Sequence, residues 1–173
     1  MTLVLRSSGG TLNVAFEDGR VVDLRNTFGR GGGFLFTGIC LMNPEFLARI
    51  PADTVISVVP IFCEMIRTGA KLGGVVIDDG GWWDLGTREE YLAVHRALHG
   101  NAEQWISPTA AIAGTAQISG ATAIGDGARI GDGVKLHDCI VWENAEIGAG
   151  STLERCIITD GALIEGTHTD ADF

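Results

Sequence analysis

No apolar run in the 173-residue sequence approaches the roughly 20 residues that a membrane span needs, and the longest stretches, such as Thr54–Phe62, fall far short. The N-terminal Met-Thr-Leu-Val-Leu-Arg lacks the basic, apolar and small-residue order of a signal peptide. Positive charge is scarce: 12 Lys and Arg stand against 22 Asp and Glu, for a net charge of −10. A surface that acidic repels phosphate backbones, which argues against nucleic acid as a partner. The four cysteines, Cys40, Cys63, Cys139 and Cys156, are scattered and form no C-x-x-C pair. That usage fits a reduced, cytoplasmic protein better than a disulfide framework or a zinc site. Glycine, by contrast, is abundant at 25 residues.

Residues 1–100 read as mixed α/β. Leu3–Leu5 is a short apolar run, and Leu12–Leu24, interrupted by Glu17-Asp18-Gly19, predicts a hairpin. The dense run Phe34–Met42 predicts a buried strand. Asn43-Pro44-Glu45 has the order of an N-cap, a first-turn proline and a first-turn acid, so a short helix Pro44–Arg49 follows. Asp53 or Thr54 is the expected cap of the next helix, to Thr68, with Pro60 bending or delaying it and Gly69 closing it. Leu72–Ile77 predicts another strand. Thr87-Arg88-Glu89-Glu90 has the spacing of a capping box and opens a helix to about His99, ended by Gly100. Residues 101–105 read as a linker.

From Ile106 the sequence becomes periodic. An aliphatic residue recurs every six positions at Ile106, Ile112, Ile118, Ile124, Ile130 and Leu136. After a five-residue step come Val141, Ile147 and Leu153, and after another come Ile158 and Ile164. A small residue usually stands two positions earlier, as at Ala110, Ala116, Thr122, Ala128, Ala145, Ser151 and Ala162. Six matches neither an α-helix nor a simple alternating strand. It matches a chain that makes a short strand, turns a corner and repeats, so that three sides close a triangular coil. The predicted domain is a left-handed parallel β-helix of hexapeptide repeats over 106–168, with 169–173 as a tail. Leu136–Val141 and Leu153–Ile158 lie 17 residues apart, one coil, which stacks Cys139 over Cys156 as apolar filler and pairs Asp138 with Arg155.

Hexapeptide helices serve several functions, and the first region discriminates among them. Phe36-Thr37-Gly38-Ile39-Cys40-Leu41, then Asn43-Pro44-Glu45-Phe46-Leu47, then Trp82-Trp83-Asp84-Leu85-Gly86-Thr87 with the helix after it resembles the sugar-1-phosphate nucleotidyltransferases, closest to the mannose-1-phosphate guanylyltransferase-like enzymes. The resemblance spans essentially the whole chain, and W-x-D-x-G-T is its most specific part. It implies a partial doubly wound α/β nucleotidyltransferase domain before the β-helix. It also implies transfer of a nucleotidyl group from a nucleoside triphosphate to a sugar-1-phosphate with release of pyrophosphate. Asp84 would help to hold Mg²⁺, which is usually bound by one or two carboxylates plus phosphate oxygens. Trp82 or Trp83 would line the sugar pocket, and Thr37 and Gly38 would bring backbone to the sugar hydroxyls. Each has a structural alternative: Asp84 as a turn cap, a tryptophan as core, Thr37-Gly38 as tight strand packing.

The family's phosphate-binding G-x-G-T-R-x-x-P loop does not occur, and Gly29-Arg-Gly-Gly-Gly33 between a hairpin and a strand reads as a flexible loop. The E-K-P stretch is replaced by Leu24-Arg25-Asn26-Thr27, and Cys40 stands where tyrosine is common. The chain is therefore expected to lack the nucleotide-binding half, to be inactive alone, and to expose apolar edges at Leu3–Leu5 and Phe34–Met42. A homo-oligomer or a complementing nucleotide-binding chain would cover them. Two alternatives belong to other classes. A non-catalytic assembly subunit would need none of the chemistry. A hexapeptide acyltransferase would use His137, or His168 at a frayed end, as base. His95 and His99, spaced i, i+4, could be zinc ligands or a solvated helix face.

Overall fold

The computed structural model describes residues 1–98 and 104–173. The chain divides into two compact units, Met1–Trp83 and Asp84–Phe173. His99, Gly100 and residues 101–103 of the expected linker lie outside the described residues.

The first unit is a five-stranded mixed sheet with two helices. Its strands are β1 (Thr2–Arg6), β2 (Val14–Glu17), β3 (Arg20–Leu24), β4 (Leu35–Leu41) and β5 (Gly73–Val76), in the order β2-β3-β5-β1-β4. The β2–β3 hairpin turns at Asp18 and Gly19, both with positive φ (47° and 76°), the geometry whose twist matches flanking strands. β1 runs parallel to β5 and antiparallel to β4. Helices α1 (Pro44–Leu47) and α2 (Val59–Arg67) place Phe46, Phe62 and Met65 against Leu3, Leu5, Val14, Val21, Leu24 and Leu72. Leu3 and Leu5, expected to be exposed, are thus fully buried.

Three expectations in this unit need correction. Asp53 and Thr54 do not cap α2. Asp53 has φ 55° and the helix starts only at Val59, because Pro60 sits where a first-turn residue needs no N–H. Asn43 is the N-cap residue of α1, with Pro44 and Glu45 in the first turn as expected, although its side chain makes no capping hydrogen bond. Strand β4 is an edge strand rather than a buried one, with Ile39 60% and Leu41 73% exposed. The glycine run is held in place: the buried Asp23 Oδ2 accepts the Phe28 and Arg30 amides at 3.0 Å each. At Gly32 a Cβ would lie 2.7 Å from the Asn13 Cα, so only glycine fits. Gly69 closes α2 as expected. Its N–H bonds the Ile66 carbonyl and that of Ala70 bonds Met65, a Schellman pattern.

The second unit opens with α3 (Arg88–Leu98) and continues as a parallel β-solenoid. Its strands are β6 (Gln104–Ile106), β7 (Ala111–Ile112), β8 (Gln117–Ser119), β9 (Thr122–Ile124), β10 (Arg129–Ile130), β11 (Lys135–His137), β12 (Ile140–Val141), β13 (Glu146–Ile147), β14 (Thr152–Glu154), β15 (Ile157–Ile158), β16 (Leu163–Ile164) and β17 (Thr167–Thr169). They form three four-stranded parallel sheets, β15-β12-β9-β6, β16-β13-β10-β7 and β17-β14-β11-β8, hence four coils. The aliphatic periodicity maps directly onto the registers. Ile106, Ile124, Val141 and Ile158 stack in one sheet, and Ile112, Ile130, Ile147 and Ile164 in the next. Ile118, Leu136 and Leu153 stack in the third, where His168 takes the fourth place. His168 is not frayed: its ring packs edge-on against Phe173, 4.9 Å between centroids. The expected tail also continues the coil, with a bridge from Asp172 to Ile157.

The stack of Cys139 and Cys156 is buried and both thiols are free. Asp138 and Arg155 occupy equivalent left-handed corners (φ 52° and 49°) but do not pair. Arg155 instead grips Asp170 of the next coil and Glu154. Asp138 accepts from Arg96 of α3 at 2.9 Å.

Candidate functional site

In the first unit, the carboxyl ends of the parallel strands β1 and β5 are where open α/β sheets expose loops suited to binding. Three segments meet there: Ser7–Gly10 after β1, Ile77–Trp83 after β5, and the middle of β4. The pairing of β4 with β1 slips between Leu3↔Cys40 and Leu5↔Phe36, so Thr37, Gly38 and Ile39 together face Val4. This bulge needs Gly38 for its backbone angle, φ 85°, since a Cβ there would meet nothing within 4 Å. Thr37 Oγ1 donates to the Val4 carbonyl at 3.0 Å, and the Thr37 carbonyl accepts the Trp82 indole N–H at 3.2 Å.

The Trp82 ring lies over Gly9 and Gly10, each of whose missing Cβ atoms would be 3.7 Å from it. Trp83 is folded over Gly81, where a Cβ would lie 2.1 Å from its ring, yet 44% of it remains exposed. Neither tryptophan belongs to the buried core. Thr37, Gly38 and Trp82 are thus brought together, and Trp83 lies one residue further along the same segment.

Asp84 belongs to the second unit. Thr87 and Glu90 form the capping box of α3: Glu90 Oε2 accepts the Thr87 amide and hydroxyl at 2.9 Å, and the Glu90 amide donates to Thr87 Oγ1 at 3.2 Å. Asp84 takes no part in that cap. Its carboxylate is exposed, in no ion pair among the described residues, and 3.4 Å from where a Gly86 Cβ would sit. An unpaired carboxylate of this kind fits a hard cation that takes its remaining ligands from phosphate oxygens and water. Among the described residues no three His, Cys, Asp or Glu side chains converge as a metal site.

The alternative residues are also placed. His137 Nδ1 is 3.0 Å from Ser119 Oγ, and its equivalent one coil later is Glu154. His95 stacks edge-on with Tyr91 at 4.8 Å on α3. A groove of about 580 Å³, lined among others by Tyr91, Leu98, Trp105 and Trp142, went unread in the sequence. Its signal was available: Trp105 stands where Ala123, Ile140 and Ile157 follow in the same outward register. Among the described residues no helix is long and apolar enough to cross a membrane.

Three parallel sheets built from six-residue steps define the second unit as a hexapeptide-repeat β-solenoid. Residues 101–169 match the family model of the GMPPB C-terminal domain, GMPPB being a mannose-1-phosphate guanylyltransferase family. No curated protein matches the sequence.

Proposed function

We propose that this chain is the sugar-binding, C-terminal portion of a mannose-1-phosphate guanylyltransferase-like enzyme. Its first unit is part of a doubly wound nucleotidyltransferase domain and its solenoid is left-handed. The observation that carries the reading is the Trp82 indole fixed on the Thr37 carbonyl beside the Gly38 bulge. It offers an aromatic face and turned-out backbone groups to a sugar, at the end of the sheet where ligands bind. Trp83, half-exposed, supplies a second aromatic face.

In the reaction, a phosphate oxygen of mannose-1-phosphate attacks the α-phosphorus of GTP. A new P–O bond forms as the bond to the bridging oxygen breaks, and pyrophosphate leaves. Such a transfer depends on positioning and charge neutralisation rather than on covalent help from the protein. Mg²⁺ supplies neutralisation of the phosphate charge, and Asp84 is the residue that would hold it. Nucleotide contacts come from residues other than these, on a complementing segment or chain.

Two measurements test the reading. Titration with mannose-1-phosphate should shift the Trp82 indole and the Thr37 and Gly38 amide resonances, and shifts confined to other residues would refute the sugar site. Magnesium-dependent pyrophosphate release from GTP and mannose-1-phosphate should be absent for the chain alone. Turnover by the chain alone that Asp84→Ala abolishes would show it to be a complete enzyme. A non-catalytic assembly role is the second reading. It is favoured by the uncharged edge strand β4, whose Ile39 and Leu41 offer a surface for another chain.

A further inference from the structure

The segment that carries Trp82 is held chiefly by one side chain from the neighbouring strand β1. Arg6, the last residue of β1, donates through Nη1 to the carbonyls of Ile77 (3.3 Å) and Asp79 (3.2 Å). Through Nη2 it donates to those of Asp78 (2.9 Å) and Gly80 (3.1 Å). Four consecutive carbonyls thus converge on a single guanidinium, with Gly80 in the left-handed region at φ 73° to complete the curl. Four oxygens turned inward would repel one another without a cation among them. Arg6 is that cation, built into the chain.

The neighbouring residue closes the arrangement from the other side. Asp78 accepts the Ser7 amide on Oδ1 and the Ser7 hydroxyl on Oδ2, both at 2.8 Å. Two residues past the carbonyl ring the backbone delivers Trp82 to the Thr37 carbonyl. The Arg6 Nε is buried and has no partner among the described residues, so the guanidinium is committed to the loop by its two terminal nitrogens.

We propose that Arg6 is a positioning residue: it acts as a resident cation that shapes residues 77–80 and thereby sets Trp82 against Thr37 and Gly38. It acts through the loop, and its importance for sugar binding rests on the function proposed above. Lysine cannot replace it, because one ammonium has three donors on a point charge and not a planar fork that reaches four oxygens.

The test follows exchange of the Trp82 indole N–H, together with the amides of residues 77–82, in the full chain by NMR. Arg6→Ala should raise the indole exchange rate at least about tenfold, the size expected when charge-assisted hydrogen bonds are lost. Ethylguanidinium at sub-denaturing concentration should restore slow exchange, whereas sodium chloride at equal ionic strength should not. Arg6→Lys should remain fast. If Arg6→Ala fails to fold, Ser7→Ala opens the arrangement more mildly and should raise the same exchange rate by a smaller factor. Unchanged indole exchange in Arg6→Ala, or Arg6→Lys indistinguishable from wild type, overturns the proposal. A wild-type chain whose Trp82 is protected but unmoved by mannose-1-phosphate would refute the sugar site and leave the Arg6 arrangement standing.

Discussion

Replacing Ile147 by alanine tests the solenoid at its centre. Ile147 lies between Ile130 and Ile164 in the stacked sheet and is essentially inaccessible. The substitution removes three carbons, and at about 0.8 kcal/mol per buried methylene the transfer loss is about 2.4 kcal/mol. The backbone cannot close the gap, because coils are fixed at strand spacing by hydrogen bonds such as Gly131 to Ile147 and Gly148 to Ile164. A cavity therefore persists and the total should be about 3–4 kcal/mol, within the range of large-to-small core substitutions. Leu163, next to Ile164 in sequence but 65% exposed, is the matched control, and Leu163→Ala should change stability by less than about 0.5 kcal/mol. Urea unfolding reads both, and with m of about 2 kcal/mol/M the Ile147→Ala midpoint should fall by about 1.5–2 M. Equal losses for the two variants would refute the assignment of inward and outward positions.

Two further outcomes follow from local chemistry. Burial raises the pKa of Asp138, but the Ala121 amide and the charges of Arg96 and His137 outweigh it and leave the carboxyl below its ordinary value. A depressed folded-state pKa contributes stability that is present above the unfolded value and is lost as pH falls through the folded one. Asp138→Asn should therefore destabilise near neutral pH and converge on wild type in acid; a difference independent of pH would contradict the Arg96 contact. Burial first of all pushes the Cys139 thiol up to about 11. A thiol reagent at mildly alkaline pH should modify the half-buried Cys40 and Cys63 and spare Cys139 and Cys156 until the chain unfolds. Four thiols reacting together in the native chain would be incompatible with the stacked, buried pair.

The solenoid was legible because its rule is local: one aliphatic residue per side, a small one near the corner, and nothing distant needed to decide which is which. Ile124, Ile130 and Ile147 were placed by counting alone. The capping box at Thr87 and Glu90 was legible for the same reason. Where the structure departed, a non-local partner decided. Asp138 turned to Arg96, 42 positions earlier, in preference to Arg155. The glycine run took its shape from Asp23, a carboxylate that the sequence presents as an ordinary strand residue. For α2 the delay was legible at Pro60, which stands in the first turn of a helix that starts at Val59, but the positive φ of Asp53 was not. At the candidate site, residue identities pointed to Thr37, Gly38 and Trp82, but the bulge that groups them and the Arg6 contacts are tertiary facts.

The placement of α3 explains why the solenoid carries an apolar outer face on one side only. Inward residues are dictated by the coil, so the outward ones are free to specify what each sheet meets. Outward positions of the second sheet are mixed, Ala111, Arg129, Glu146 and Leu163, and those of the third include the polar Gln117, Lys135 and Thr152. In the first sheet they are Trp105, Ala123, Ile140 and Ile157, and Tyr91 and Leu92 of α3 pack on the last three. Arg88 fastens the helix at one end to Asp172 and to the Arg155 carbonyl, and Arg96 fastens it further along to Asp138. The helix is therefore part of the solenoid unit. The W-x-D-x-G-T sequence is in consequence divided, with Trp82 and Trp83 in the first unit and Asp84 to Thr87 in the second. The six residues Trp82–Thr87 thus carry the chain from the first unit to the start of α3.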